Sequence, residues 1–281
     1  MARMSRAPTL SAPAGLLPLA RPLMTGEVLD AAFRLFRAGL LRTLPYAGLV
    51  VLALELPTLF ATFFWPVTDG LPIASADYNA AIYFIVLLLS ALLLGVVTLR
   101  LHAVSRGQRL GFRREVGTAL WRWPSAIVAT LGALGIPMFL FGLRQVFANI
   151  LPGAALAVLG ALMLWPMAVF AVALPAFWCD RLGPLQAIAR AVRITWRHSW
   201  RMAGAILTVI SMLAVFFVLA TIIVKLATPL FGRADLFVIA TLVSLLTLVV
   251  GALGVPFVVA MLIVAYEDLK LRDRLLRGTG A

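Results

Sequence analysis

The sequence predicts an all-α polytopic membrane protein, a bundle of six transmembrane helices flanked by amphipathic helices at the membrane surface, and three observations carry that prediction. First, 63% of the 281 residues are hydrophobic and only 12% are charged, against about 45–50% and about 25% in an ordinary soluble domain. Second, six stretches are each long and apolar enough to cross a hydrocarbon core of about 30 Å, which takes about 20 helical residues. Third, the Lys and Arg residues fall almost entirely between alternate stretches: 21 on one side and three, Arg144, Lys225 and Arg233, on the other. By the positive-inside rule the first side is cytoplasmic, with both termini and two long loops, and the outer turns are short.

Taken in order, residues 1–24 read as a flexible N-terminal segment. Their apolar run, Ala14 to Ala20, is short and interrupted by Gly15 and Pro18, so no cleaved signal peptide is expected. Residues 25–281 read as a single membrane domain. It opens with an interfacial helix near 26–40, capped by Thr25, in which Glu27, Asp30, Arg34 and Arg37 lie on one stripe and Leu29, Phe33, Phe36 and Leu40 on another. Acids before bases on such a stripe suit ion pairing and the helix dipole. Spans are expected near 44–65, 80–99, 124–143, 153–178, 203–227 and 236–266, the last long enough to continue past the membrane as a helix. A second interfacial helix is expected near 111–122 and a third near 184–201, where Pro184 suits a first turn.

Tryptophans mark expected boundaries, since indole favours the headgroup level: Trp65 outside, and Trp121, Trp123, Trp178, Trp196 and Trp200 inside. Trp165, within a span, reads as packing. A local echo between Gly251–Pro256 and Gly132–Pro137, Gly-Ala-Leu-Gly-Val/Ile-Pro, is of the kind inverted transporter repeats leave, and also of the kind membrane-helix composition produces.

Several classes of function are excluded. One Cys forms no internal disulfide, and one Cys with two His supplies no zinc site. No metal or cofactor is expected. The net charge of +13 is chiefly a topology signal, so nucleic acid is not an expected partner. There is no Gly-rich phosphate loop with Lys, no Gly-x-Ser-x-Gly and no His-Glu-x-x-His, and His102, His198 and Cys179 sit in no catalytic spacing. No enzyme is expected.

Two features remain as candidates. In residues 184–201, Arg190, Arg193, Arg197 and Arg201 line one stripe, while Leu185, Ile188, Val192, Trp196 and Trp200 line the other. Such a helix either holds anionic lipid or a protein partner, or anchors the chain and sets the angle of the next span. Within the first span, Glu55 lies beside Pro57 at mid-membrane depth, where a carboxylate serves either coupling and gating in a carrier or hydrogen-bonded assembly of helices.

Three stretches also carry a family resemblance. They are Arg21-Pro22-Leu23-Met24-Thr25-Gly26-Glu27-Val28-Leu29-Asp30, Asp180-Arg181-Leu182-Gly183-Pro184 with the helix after it, and Tyr266-Glu267-Asp268-Leu269-Lys270-Leu271-Arg272. The chain resembles bacterial integral membrane proteins labelled as similar to the membrane domain of glycerophosphoryl diester phosphodiesterase. Arg21, Pro22, Gly26, Glu27, Asp30, Asp180, Tyr266 and Asp268 match its motifs. Ala191 departs from it, standing where the family often has Ser. The resemblance implies the membrane fold and, with no separate catalytic domain in the chain, no hydrolase activity.

The functional expectation is thus a non-enzymatic scaffold or accessory protein of the bacterial inner membrane. It would act in envelope or lipid homeostasis, holding anionic lipid or a protein partner on its Arg-rich cytoplasmic face. The alternative is a transporter or lipid-translocating protein with Glu55 as its coupling group.

Overall fold

The computed structural model describes residues 17, 19–64, 76–108, 111–147, 153–227 and 236–278. Trp65, Arg3, Arg6, Arg109 and Arg233, which entered the boundary and charge readings above, lie outside them. The described elements are all α-helices: α1 (Thr25–Phe64), α2 (Ala76–Ser105), α3 (Phe112–Phe147), α4 (Gly153–Cys179), α5 (Pro184–Arg197), α6 (Ser199–Ala227) and α7 (Leu236–Gly278). Among the described residues, five helical stretches are long and apolar enough to cross a membrane: Thr25–Glu55, Leu88–Ser105, Gly160–Cys179, Ser199–Ile223 and Val243–Arg277.

Three boundaries differ from the sequence reading. The expected interfacial helix at 26–40 and first span at 44–65 are one continuous helix, and so are 111–122 and 124–143. Hydropathy registers a change of surroundings along a helix, whereas the backbone ladder runs on through Pro45 and Pro124. The third expected interfacial helix is divided: α5 ends at Arg197, the His198 N–H donates to the Ile194 and Thr195 carbonyls, and α6 begins at Ser199. Residues 200 and 201 therefore belong to α6. The cap of α1 also differs. Thr25 is its first helical residue, and the Glu27 carboxylate reaches back to accept from the Met24 N–H at 2.8 Å, as the N3 acid of a capping box does.

The part of α1 near residue 40 crosses α2 instead of running beside it. Gly39 lies against Leu101, and Arg100, one residue away in α2, stands over the Tyr46 ring at 5.8 Å. Seven residues of α1, about 10 Å of helix, thus pass a single level of α2. Farther along, α1 closes on α7 where Gly251 has no side chain; a Cβ there would stand 2.6 Å from a Val51 methyl.

The core has two apolar clusters. One joins α2, α3, α4 and α5 around Phe177 and Trp178; the other joins the start of α1 to α2, α6 and α7 around Leu35, Leu101 and Ile263. Gly95 is where α2 meets the buried Trp178, whose ring would lie 2.3 Å from any Cβ at that position. By contrast, almost none of Ser199–Ile223 is buried. Leu207, Ile210, Val215, Val218, Leu219 and Ile222 face outward, a surface whose matching solvent is hydrocarbon.

Candidate functional site

The polar chemistry gathers at the Arg-rich end of the bundle, and the last turns of α7 organise it. Glu267, Asp268, Lys270 and Asp273 are all buried there. A lone buried charge is costly, so each needs a close partner, and each has one. Asp180, just past the last residue of α4, accepts from the Tyr266 hydroxyl at 2.7 Å and from the Lys270 ammonium at 3.1 Å, and Arg190 of α5 lies 3.1 Å from the same carboxylate. Lys270 also donates to Glu267 at 2.7 Å. Burial pulls the Asp180 carboxyl upward, but the Tyr266 hydroxyl, Lys270 and Arg190 outweigh it and hold Asp180 below its ordinary value.

A second node ties the chain before α1 to the end of α7. The Leu23 N–H donates to Asp268 at 2.8 Å, and the Leu23 carbonyl accepts from Arg201 at 2.5 Å and Arg272 at 2.9 Å. Arg272 also donates to Asp268 at 3.0 Å. Upstream, the buried Leu17 donates its N–H to the Ser105 carbonyl. Leu17 and Leu23 are therefore held, and the flexible segment expected to reach residue 24 does not extend over them. Arg21 pairs with Glu27 at 2.5 Å, and Asp30, Arg34 and Arg37 are exposed with no ion pair among the described residues. The pairing expected along that stripe is replaced by one reaching backward, because Glu27 is engaged at the helix start. At a third node Asp273 takes Arg197 at 2.9 Å and Arg277 at 2.5 Å.

The three stretches that carry the family resemblance are thus in mutual contact: Leu23 on Asp268, and Asp180 on Tyr266 and Lys270. Pro22 and Gly26 make no polar contact beyond setting the backbone before and within the first turn. Ala191 is fully buried, which leaves no need for a hydroxyl at that position.

The Arg stripe of residues 190–201 is correspondingly divided. Arg190, Arg197 and Arg201 face Asp180, Asp273 and Asp268, whereas Arg193 is exposed with no partner among the described residues. The apolar stripe opposite is not the buried one: Leu185, Val192, Trp196 and Trp200 are exposed, and α5 instead buries Ala187, Ala191, Ile194 and Thr195. Small side chains allow the close approach to α4, and the bulky ones point outward, with the Trp196 ring edge-on to Trp165 at 5.9 Å.

Arg100 pairs with the buried Glu115, and Arg122 closes the end of α4. Its guanidinium donates to the Phe177 carbonyl at 3.0 Å and the Leu182 carbonyl at 2.6 Å and lies 4.3 Å over the Phe177 ring, satisfying a carbonyl that the helix end would leave open. Next to it Arg181 has φ 55°, the left-handed conformation that ends many helices but favours Gly over Arg by about 1 kcal/mol. Arg113, Arg114, Arg122 and Arg181, with Gly117, Thr118 and Trp121, line an open groove of about 570 Å³. No carboxylate lines it.

The remaining candidates are placed as follows. Glu55 is half-buried, with no hydrogen-bond or ion-pair partner among the described residues. His102 Nδ1 and His198 Nε2 are buried without a partner among them. Burial, with Arg272 and Arg201 close by, pushes His198 below the ordinary imidazole value against the pull of Asp273 and Asp268. Cys179, half-buried, ends α4. Among the described residues no three His, Cys, Asp or Glu side chains gather as a metal site.

Compared with protein-family models, with curated proteins and with solved structures, the chain matches none.

Proposed function

We propose that the chain is a six-span protein of the bacterial inner membrane with both termini in the cytoplasm, and that it works without catalysis, as a scaffold or accessory protein in envelope or lipid homeostasis that holds anionic lipid on its cytoplasmic face. One observation carries this reading: the division of charge at the Arg-rich end. Glu27, Glu115, Asp180, Glu267, Asp268 and Asp273 are each locked to a basic side chain, while Arg113, Arg114, Arg181 and Arg193 are exposed and have no carboxylate partner among the described residues. Such a face attracts an anionic membrane surface, each basic residue near it contributing about 1 kcal/mol. The exposed Trp196 and Trp200 beside it suit the headgroup level. The mutual contact of the three motif stretches supports an assembly role for them, and with it the resemblance on which they were recognised.

The test is lipid selection by the full chain. Purified in mild detergent and reconstituted in mixed vesicles, it should be re-extracted with phosphatidylglycerol enriched over phosphatidylcholine. Equal recovery of the two lipids contradicts the reading.

A second reading, transport with Glu55 as coupling group, is favoured by the half-buried, unpartnered carboxylate in α1. It requires a proton or ion flux in proteoliposomes that Glu55→Gln abolishes while the protein still inserts; equal flux with both forms eliminates it.

A further inference from the structure

The four arginines at the junction of α3 with the α4–α5 turn differ from those of the α7 network in having no acid among them. We propose that their groove is a binding site for the phosphodiester headgroup of an anionic phospholipid, an inference that rests on the lipid-holding function above and gives it a location.

The groove gathers Arg113 and Arg114 from the first turn of α3, Arg122 from two turns further on, and Arg181 from the turn after α4. Arg122 is fixed in place by the Phe177 and Leu182 carbonyls, and so supplies a rigid wall. Thr118 contributes no acceptor charge, its hydroxyl donating to the Arg114 carbonyl at 2.7 Å. Left as it stands, the groove brings like charges together. Besides burial, Arg181 itself disfavours the charged form of Arg122. An anion held between them relieves that repulsion and meets guanidinium forks suited to bidentate bonding with phosphate oxygens.

The backbone points the same way. Arg181 occupies a left-handed position at φ 55°, where Gly fits without strain, so the turn itself gives no reason for an arginine. Its side chain is needed where it lies, on the groove.

A lipid fits better than a soluble anion because of what borders the site. Trp121, on the groove wall, is 89% exposed, and Leu120 beside it is 54% exposed. An indole and an isobutyl group turned outward at the mouth of a cationic groove fit a molecule with an anionic head and an apolar body.

The experiment compares the full chain with two triple variants in nanodiscs of phosphatidylcholine containing phosphatidylglycerol, reading retained lipid by native mass spectrometry. Arg113→Gln/Arg114→Gln/Arg181→Gln should lower the preference for the anionic lipid by about tenfold or more. Arg34→Gln/Arg37→Gln/Arg193→Gln, which removes the same charge elsewhere, should keep it. The single variant Arg181→Gly, which relieves the backbone and so leaves folding secure, should also lose preference, and added inorganic phosphate should not displace the lipid. Equal losses in the two triple variants would overturn the site while leaving the lipid-holding function intact. Displacement by inorganic phosphate would also overturn it, as a soluble-anion site. Absence of any preference in the unmodified chain would remove the function and the site together.

Discussion

Two groups of arginines lie within a few residues of each other around the α4–α5 turn, and their surroundings make them different objects. Arg190, Arg197 and Arg201 look across at Asp180, Asp273 and Asp268, so their charges are answered within the chain and hold α5 and α6 to the end of α7. Arg113, Arg114 and Arg181 look across at one another and at Arg122. The lesson is that a basic residue is available to a partner only where no internal acid has engaged it, and in this chain the acids are concentrated on α7.

The largest expected effect comes from breaking the paired side. Asp180→Asn leaves Lys270 and Arg190 without their shared carboxylate in a mostly buried setting, and should destabilise the protein by about 3 kcal/mol, read as a lowered thermal midpoint in mild detergent. Adding Lys270→Met should recover part of that loss, because the coupling between two contacting charges is not additive; strict additivity of the two changes would mean that the pair is not coupled.

A steric change sharpens the comparison by separating stability from lipid selection. Gly95→Ala places a Cβ into the Trp178 ring, an overpacking that costs about 1–3 kcal/mol. Its thermal midpoint should fall while its preference for anionic lipid stays at the level of the unmodified chain.

Arg181→Gly should move the two properties in opposite directions. Relief of the left-handed strain stabilises by about 1 kcal/mol, and lipid preference falls. A gain in stability without a loss of preference would place Arg181 outside the binding groove.

The smallest effect is the pH dependence of the paired side. Asp180 is held below its ordinary value of 3.8 in the folded state. Its contribution to stability is therefore complete above that value and lost as pH falls through the lower folded value. The gap in thermal midpoint between the unmodified chain and Asp180→Asn should be constant near neutrality and narrow only below about pH 4.

Much of this architecture was legible from residues alone. α2, α4, α6 and α7 each contain an expected span, since an uninterrupted apolar run leaves little freedom of placement. The continuity of α1 and α3 was not legible, because their first halves are charged and their second halves apolar, and a change of polarity looks like a change of element. Nor was the break at His198, across which Arg197, Arg201, Trp196 and Trp200 keep a helical repeat of four. The ion pairs themselves join residues 76 to 90 positions apart, as Arg197 with Asp273 and Lys270 with Asp180, and no spacing rule reaches that far. A local signal was present nonetheless: Asp268 with Arg272 and Asp273 with Arg277 repeat an acid followed four residues later by a base at the end of α7, marking that segment as the acidic counterpart of the Arg stripe.

The division of the arginines is tested most directly by labelling the full chain with phenylglyoxal in proteoliposomes and reading each site by peptide mass spectrometry. Arg113, Arg114 and Arg181 should react quickly in phosphatidylcholine and become protected when phosphatidylglycerol is included, while Arg190 and Arg201 should react slowly in both. Uniform reactivity across the two groups, or protection by anionic lipid falling on Arg190 and Arg201 instead, would contradict the account.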